Sequence, residues 1–228
     1  MSNELLAVCF IIINFGMVAL SYKLFGRNGL FVYIVMSIIG ANIQVAKTIE
    51  IFGVSTSLGN TMFAGIFLAT DLLSERYGKQ DAKRAVYYGF GMQLAFLITT
   101  QFALFFTPHA DDFAQPHMEG LFGLALPVFT VAGLTSFIVS QSIDVFLYHR
   151  IRERFPEDKW LWVRNNGSTV LSQLVDTTIF TGIVAAFGIW PPELALEIYF
   201  VTYILKFVLS VLDTPFIYLM KRIKPLDI

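Results

Sequence analysis

The chain has one cysteine, Cys9, so no disulfide can close within it and its redox compartment leaves no trace. It is also poor in charge. Asp, Glu, Lys and Arg make up 14% of its 228 residues, against about 25% in a soluble domain. No H-E-x-x-H, G-x-S-x-G or P-loop pattern occurs, so metalloprotease, serine hydrolase and ATPase readings lack their motifs. No other catalytic constellation is visible; the reading is of a non-enzyme, and no cofactor is implied. The opening Met1-Ser2-Asn3-Glu4 carries no basic n-region, so the first apolar run reads as a retained span rather than a signal peptide. No linker or low-complexity tract divides the chain, which reads as a single domain over 1–228.

What is abundant is apolar surface. Hydrophobic residues make up 56% of the chain, and mean hydropathy is +0.65. Seven apolar segments follow one another, at roughly 4–22, 29–51, 58–75, 84–106, 120–149, 168–190 and 194–220. Each is long enough to cross a bilayer with some tilt. The fifth and seventh are long enough to bend, and Pro127 and Pro215 are the expected bends. Fourteen of the sixteen Lys and Arg fall after the odd-numbered segments, with Lys47 and Lys206 as exceptions. The alternate loops hold Glu4, His109, Asp111, Asp112, His117, Glu119, Glu193 and Glu197 and no Lys or Arg. The expectation is an all-α integral membrane protein, a bundle of seven transmembrane helices with its N-terminus outside and its C-terminus cytoplasmic. That topology accounts for the basic loops without any nucleic-acid site.

The polar residues inside these segments carry the functional information. Asp176 lies 12 residues beyond Arg164, about 18 Å along a helix, near the middle of a hydrocarbon core of about 30 Å. An ionisable group there marks a functional site or a structural ion pair. Asp71, Asp144 and Asp213 also lie within segments, against a single central Lys206. One Lys–Asp pair makes a lock. Three further carboxylates must bind protons, cations or a ligand rich in N–H donors. Gln141 with Asp144 and Gln173 with Asp176 repeat a Q-x-x-D spacing that places amide and carboxylate on one helix face. Asn42 and Gln44 are either helix–helix contacts or ligand contacts. Lys47 and Glu50 are expected to pair on a helix near the outer interface, and Glu75 with loop arginines. His109, Asp111, Asp112 and His117 are a weak metal-site candidate in an acidic loop. Among 23 Phe residues no stacking platform stands out.

Phe67-Leu-Ala-Thr-Asp-Leu-Leu-Ser-Glu-Arg-Tyr-Gly78 resembles the queuosine precursor transporter family, which is grouped with vitamin uptake transporters. Ser140-Gln-Ser-Ile-Asp-Val-Phe146, Ser168-Thr-Val-Leu-Ser-Gln-Leu-Val-Asp-Thr-Thr178 and Tyr203-Ile-Leu-Lys206 agree with it, in order, between about Phe31 and Arg222. The resemblance implies a multi-pass transporter of the bacterial inner membrane. It would import 7-cyano-7-deazaguanine, 7-aminomethyl-7-deazaguanine or queuine for salvage into tRNA modification. It also implies a six-helix core over 29–222, similar to the substrate-binding subunits of energy-coupling-factor transporters. Residues 1–28 then form an extra N-terminal helix and loop. Asn42, Gln44, Asp71, Gln141, Asp144, Gln173, Asp176, Lys206 and Asp213 become the candidate substrate contacts. Lipid surrounds such a protein, and a homodimer stays open. The alternative is a substrate-capturing subunit that needs an energising partner, docked on a small-residue face of Ala64, Gly65 and Ala69.

Overall fold

A computed structural model describes residues 2–123 and 125–226. In chain order the elements are α1 (Asn3–Gln44), β1 (Thr48–Ile51), β2 (Val54–Ser57), α2 (Gly59–Arg76), α3 (Lys79–Leu104) and the short α4 (Gln115–Phe122). Then come α5 (Ala125–Arg154), a 3₁₀ turn (Asp158–Trp160), α6 (Leu161–Ala186) and α7 (Pro192–Met220).

Helix α1 is folded double. Gly26 sits at φ 54° and ψ −133°, a region open in practice only to glycine. The chain therefore reverses there, and the arms 3–25 and 27–44 lie side by side. Tyr33 Oη reaches back to the Asn14 carbonyl and Oδ1 at 3.3 and 3.2 Å. A Cβ on Gly29 would stand 2.0 Å from the Ser21 carbonyl oxygen, so the arms close only around a glycine. The first two apolar segments correspond to these arms.

The second segment does not run to residue 51 as a helix. It ends at Gln44, and Thr48–Ser57 form an antiparallel hairpin with Ile51 opposite Val54. Phe52 and Gly53, at φ 51° and 75°, make the turn with two positive φ angles that two-residue hairpins favour. The fold is thus helical with one small sheet. Lys47 and Glu50 share no helix face; both are exposed, and Glu50 stands opposite Ser55 in the ladder. The hairpin packs at the N-terminal end of α1, where Asn3 Nδ2 donates to the Glu50 carbonyl at 2.9 Å. Lys47 therefore lies near the outer end of the bundle, as expected, but in the turn before a hairpin rather than on a helix.

Three other boundaries move. The fifth segment divides into α4 and α5, which leaves Pro127 in the first turn of α5, where a missing N–H costs little. The sixth helix begins at Leu161, so Arg164 belongs to it and is fully buried. In α2 every residue except Phe63 and Arg76 is buried. Ala64, Gly65 and Ala69 thus face inward, and a Cβ on Gly65 would lie 2.2 Å from Tyr33 Oη. That small-residue face is a seat for α1 and offers no docking surface.

Four helical stretches are long and apolar enough to cross a membrane: Asn3–Gln44, Pro127–Arg154, Asp158–Ala186 and Pro192–Met220. The distribution of polarity is inverted relative to a soluble protein. Leu5, Ile12, Val32, Ile98, Phe200, Ile204 and Val211 are exposed, while Asn14, Asp71, Gln141, Asp144, Arg164, Asn165 and Asp213 are buried. Burying amides and ions while exposing branched aliphatics is stable only where the surroundings are hydrocarbon.

Candidate functional site

The site grows from the antiparallel packing of α5 and α6. Ser172 Oγ on α6 donates to Asp144 Oδ1 on α5 at 2.9 Å. Ser140 Oγ on α5 donates to Asp176 Oδ1 on α6 at 3.1 Å. Each helix carries the same S-Q-x-x-D run, Ser140-Gln141-Ser-Ile-Asp144 and Ser172-Gln173-Leu-Val-Asp176. Each serine lies one turn before its own aspartate, so antiparallel helices put it opposite the other helix's aspartate. The repeat builds two carboxylate positions along one seam. Gln141 and Gln173 are buried beside them, with both amide atoms lacking a hydrogen-bond partner among the described residues.

The Asp176 position opens into a cavity of about 360 Å³, within the range of small-molecule pockets. The hairpin strands, through Thr48, Ser55, Thr56 and Ser57, wall it on the side facing the N-terminal end of the bundle. Asp176 lies against Lys206 of α7, whose Nζ pairs with Oδ2. The same ammonium stands 5.2 Å from the centre of the Phe63 ring. On another wall Phe129 and Phe180 stack at 6.3 Å with 16° between their planes. Trp190 closes that cluster, 5.9 Å from Phe129 and 6.1 Å from Phe180. Asn42 completes the polar lining, with Nδ2 tied to the Ile38 carbonyl at 2.9 Å. The cavity thus offers a carboxylate, an ammonium and flat aromatic walls, the elements needed to hold a planar polar ring.

Deeper in the bundle, Asp144 lies near Asp71 of α2 and Asp213 of α7. Asp213 accepts from Asn165 Nδ2 at 2.7 Å. Further along, Glu75 gathers the basic end. Its Oε1 accepts from Arg164 Nη2 at 2.9 Å and Lys221 Nζ at 2.8 Å, and its Oε2 accepts from Tyr148 Oη at 2.7 Å. Arg152 stands 3.7 Å away, and Arg164 Nη1 also donates to the Phe155, Pro156 and Glu157 carbonyls. Partial burial lowers the pKa of Lys221, but its bonds to Asp158 and Glu75 outweigh this and leave it raised. This latch joins α2, α5, α6 and the end of α7 at the basic end, away from the hairpin.

Of the nine candidate contacts, Asn42, Asp176 and Lys206 line the large cavity. Asp213 lines a smaller void of about 10 Å³ that Lys206 shares. Gln44, Asp71, Gln141, Asp144 and Gln173 line neither. Residue-level reading missed the serines that orient the carboxylates, although the S-Q-x-x-D repeat carried that signal. It also missed Phe129, Phe180 and Trp190, which nothing local distinguishes from lipid-facing aromatics. Among the described residues no three His, Cys, Asp or Glu are placed to share a metal. In the acidic loop, Asp111 N donates to His109 Nδ1 at 3.3 Å.

An apolar exterior, a polar interior and an internal cavity define the class as a multi-pass membrane protein with room for a small molecule. Residues 57–220 match the family described as "Putative vitamin uptake transporter". With a full-length relative as well, the chain belongs to that family. The relative, a "Probable queuosine precursor transporter" of Bacillus subtilis, is 44% identical over 227 residues, covering 100% of this chain and 98% of its own. The first helix is therefore shared with it. A protein of the same description from Haemophilus influenzae is 27% identical over 134 residues, 58% of this chain and 53% of its own. The "Queuosine precursor transporter" of Escherichia coli is 27% identical over 146 residues, 63% of this chain and 61% of its own. No solved structure matches the chain.

Proposed function

We propose that the protein imports 7-deazaguanine precursors of queuosine across the bacterial inner membrane. The observation that carries the reading is the Asp176–Lys206 pair in an aromatic-walled cavity, in a chain whose relatives are named for this substrate class. A deazaguanine presents a ring N–H and an exocyclic amino group side by side. Asp176 receives one bond each from Ser140 and Lys206, and a carboxylate with about four acceptor sites has room for that bidentate edge. The neighbouring carbonyl is matched by Lys206, which has three protons to donate. Phe180 and Trp190 offer faces for the ring, and Asn42 a further polar contact.

The same reading places the hairpin end outside and the Glu75 latch at the cytoplasmic face. Seven crossings, as α1 counts for two, agree with the basic residues gathered at the latch end. Residues 1–228 act as one transport domain, with 7-cyano-7-deazaguanine, 7-aminomethyl-7-deazaguanine and queuine as its candidate solutes.

The test is salvage in bacteria that can neither make queuosine nor import its precursors. Each precursor is fed at low concentration, and queuosine is scored in tRNA. Wild-type protein is expected to restore it, and Asp176→Asn, inserted at equal level, to lose it. Failure of every precursor with well-expressed wild type would sink this reading.

A further inference from the structure

We propose that Asp71, Asp144 and Asp213 form a proton-binding site, separate from the base-binding cavity, that couples precursor movement to proton entry. The coupling rests on the transporter reading above; the proton site itself does not.

These three carboxylates come from α2, α5 and α7 and are 0%, 1% and 1% exposed. Every other deep carboxylate is matched by a cation: Asp176 by Lys206, and Glu75 by Arg164 and Lys221. Among the described residues no Lys or Arg pairs with Asp71, Asp144 or Asp213. Asp144 and Asp213 each take one bond, from Ser172 and Asn165. Both oxygens of Asp71, Oδ2 of Asp144 and Oδ2 of Asp213 have no partner among the described residues. The charged and titratable groups around them are Glu75 on α2, Tyr148 on α5, Arg164 on α6 and Lys206 on α7. The two cations are already paired with other carboxylates. From α6, Asn165, Ser168, Thr169 and Ser172 are neutral.

Three ionised carboxylates so placed would repel one another in a medium that screens poorly. A proton resolves this chemically, because it turns an acceptor into a donor. Protonated Asp71 can donate to Asp144, satisfying an oxygen of each. Thr169 supplies an independent pointer to an occupant. It is 1% exposed, its Oγ1 has no partner among the described residues, and it lines the small void beside Asp213. At about 10 Å³ that void has roughly the room of one water. Asn60, Phe63 and Lys206 line both it and the large cavity, so the void beside Asp213 adjoins the cavity.

The S-Q-x-x-D repeat explains why the two sites communicate. Asp176 and Asp144 are the exchanged halves of one α5–α6 seam, so base at the first and proton at the second act on the same helix pair. The outer half carries a built-in cation, Lys206. The inner half has Asp71 in its place and takes its positive charge from solution. The proton bonds to a carboxylate oxygen from the outer side and leaves to cytoplasmic water once the bundle opens inward. No redox change is involved.

The test uses the purified full chain in liposomes, with labelled 7-cyano-7-deazaguanine as probe. An inward proton gradient of one unit is expected to drive up to roughly tenfold accumulation at one proton per base. A protonophore abolishes it, and a sodium gradient at equal pH does not replace it. Asp71→Asn, a neutral mimic of the protonated acid, is expected to keep exchange of labelled for unlabelled base but lose gradient-driven accumulation, and Asp213→Asn likewise. Without any base, infrared spectra at neutral pH are expected to show a carboxylic-acid carbonyl band in wild type that Asp71→Asn removes. Gradient-indifferent or sodium-driven uptake by wild type, undiminished accumulation by Asp71→Asn, or no carboxylic-acid band would each overturn the proposal. Absence of any exchange by wild type, with the band present, would instead count against the substrate.

Discussion

Lys206 belongs to two environments at once, the cavity and the void beneath it, and its removal should be felt in both. Lys206→Met leaves Asp176 buried without its cation, at an expected cost of about 3–5 kcal/mol, read as a lower melting temperature in detergent. The double variant Asp176→Asn/Lys206→Met should recover most of that stability while staying inactive in uptake. If instead the two single losses simply add, the residues are not coupled. Phe180→Ala should weaken base binding by about 1 kcal/mol, roughly fivefold, with little change in insertion. At this scale the sequence disclosed what was chemically out of place. Asp176 and Lys206 stood out because ions in an apolar run are costly. Ser140 and Ser172 did not, because an isolated serine in a helix is ordinary until the facing helix is known. The aromatic wall was hidden among 23 phenylalanines, since a lipid-facing and a cavity-facing Phe have the same local pattern.

The elements differ in how visibly they were written. The long helices were legible from apolar run length. The hairpin was not, because Thr48-Ile-Glu-Ile-Phe52 extends the second apolar segment without a break, and Phe is an unusual residue for a turn at positive φ. Its cost there is testable: Phe52→Asn should raise stability by about 1 kcal/mol, because Asn tolerates the left-handed region. An unchanged or lowered melting temperature would mean that the Phe52 ring contributes more than its backbone costs. The burial of α2 was equally hidden. Its small residues looked like a docking face, and only the reversal at Gly26 brings Tyr33 onto them. Gly65→Ala should therefore destabilise the bundle by about 1–3 kcal/mol through overpacking. Tyr33→Phe in the same background should relieve part of that loss, since the clash is with the hydroxyl.

Across the whole molecule, the cavity beside the hairpin and the Glu75 latch at the opposite end would be one state of the proposed transporter. Opening the basic end requires Arg164, fully buried, to part from Glu75. Glu75→Gln should lower the melting temperature by leaving Arg164 and Lys221 short of a counter-charge, and should raise protease cleavage between α5 and α6. Unchanged cleavage would remove the latch from the gating pathway. The three tryptophans divide between these ends: Trp190 in the cavity wall, Trp160 and Trp162 beside the latch. The protein therefore carries its own optical reporters. With Trp160 and Trp162 replaced by Phe, the remaining tryptophan fluorescence comes from the cavity alone, and its quenching would titrate the bound base directly. With Trp190 replaced instead, the emission would follow events at the far end, so filling and opening can be timed separately in one unlabelled molecule.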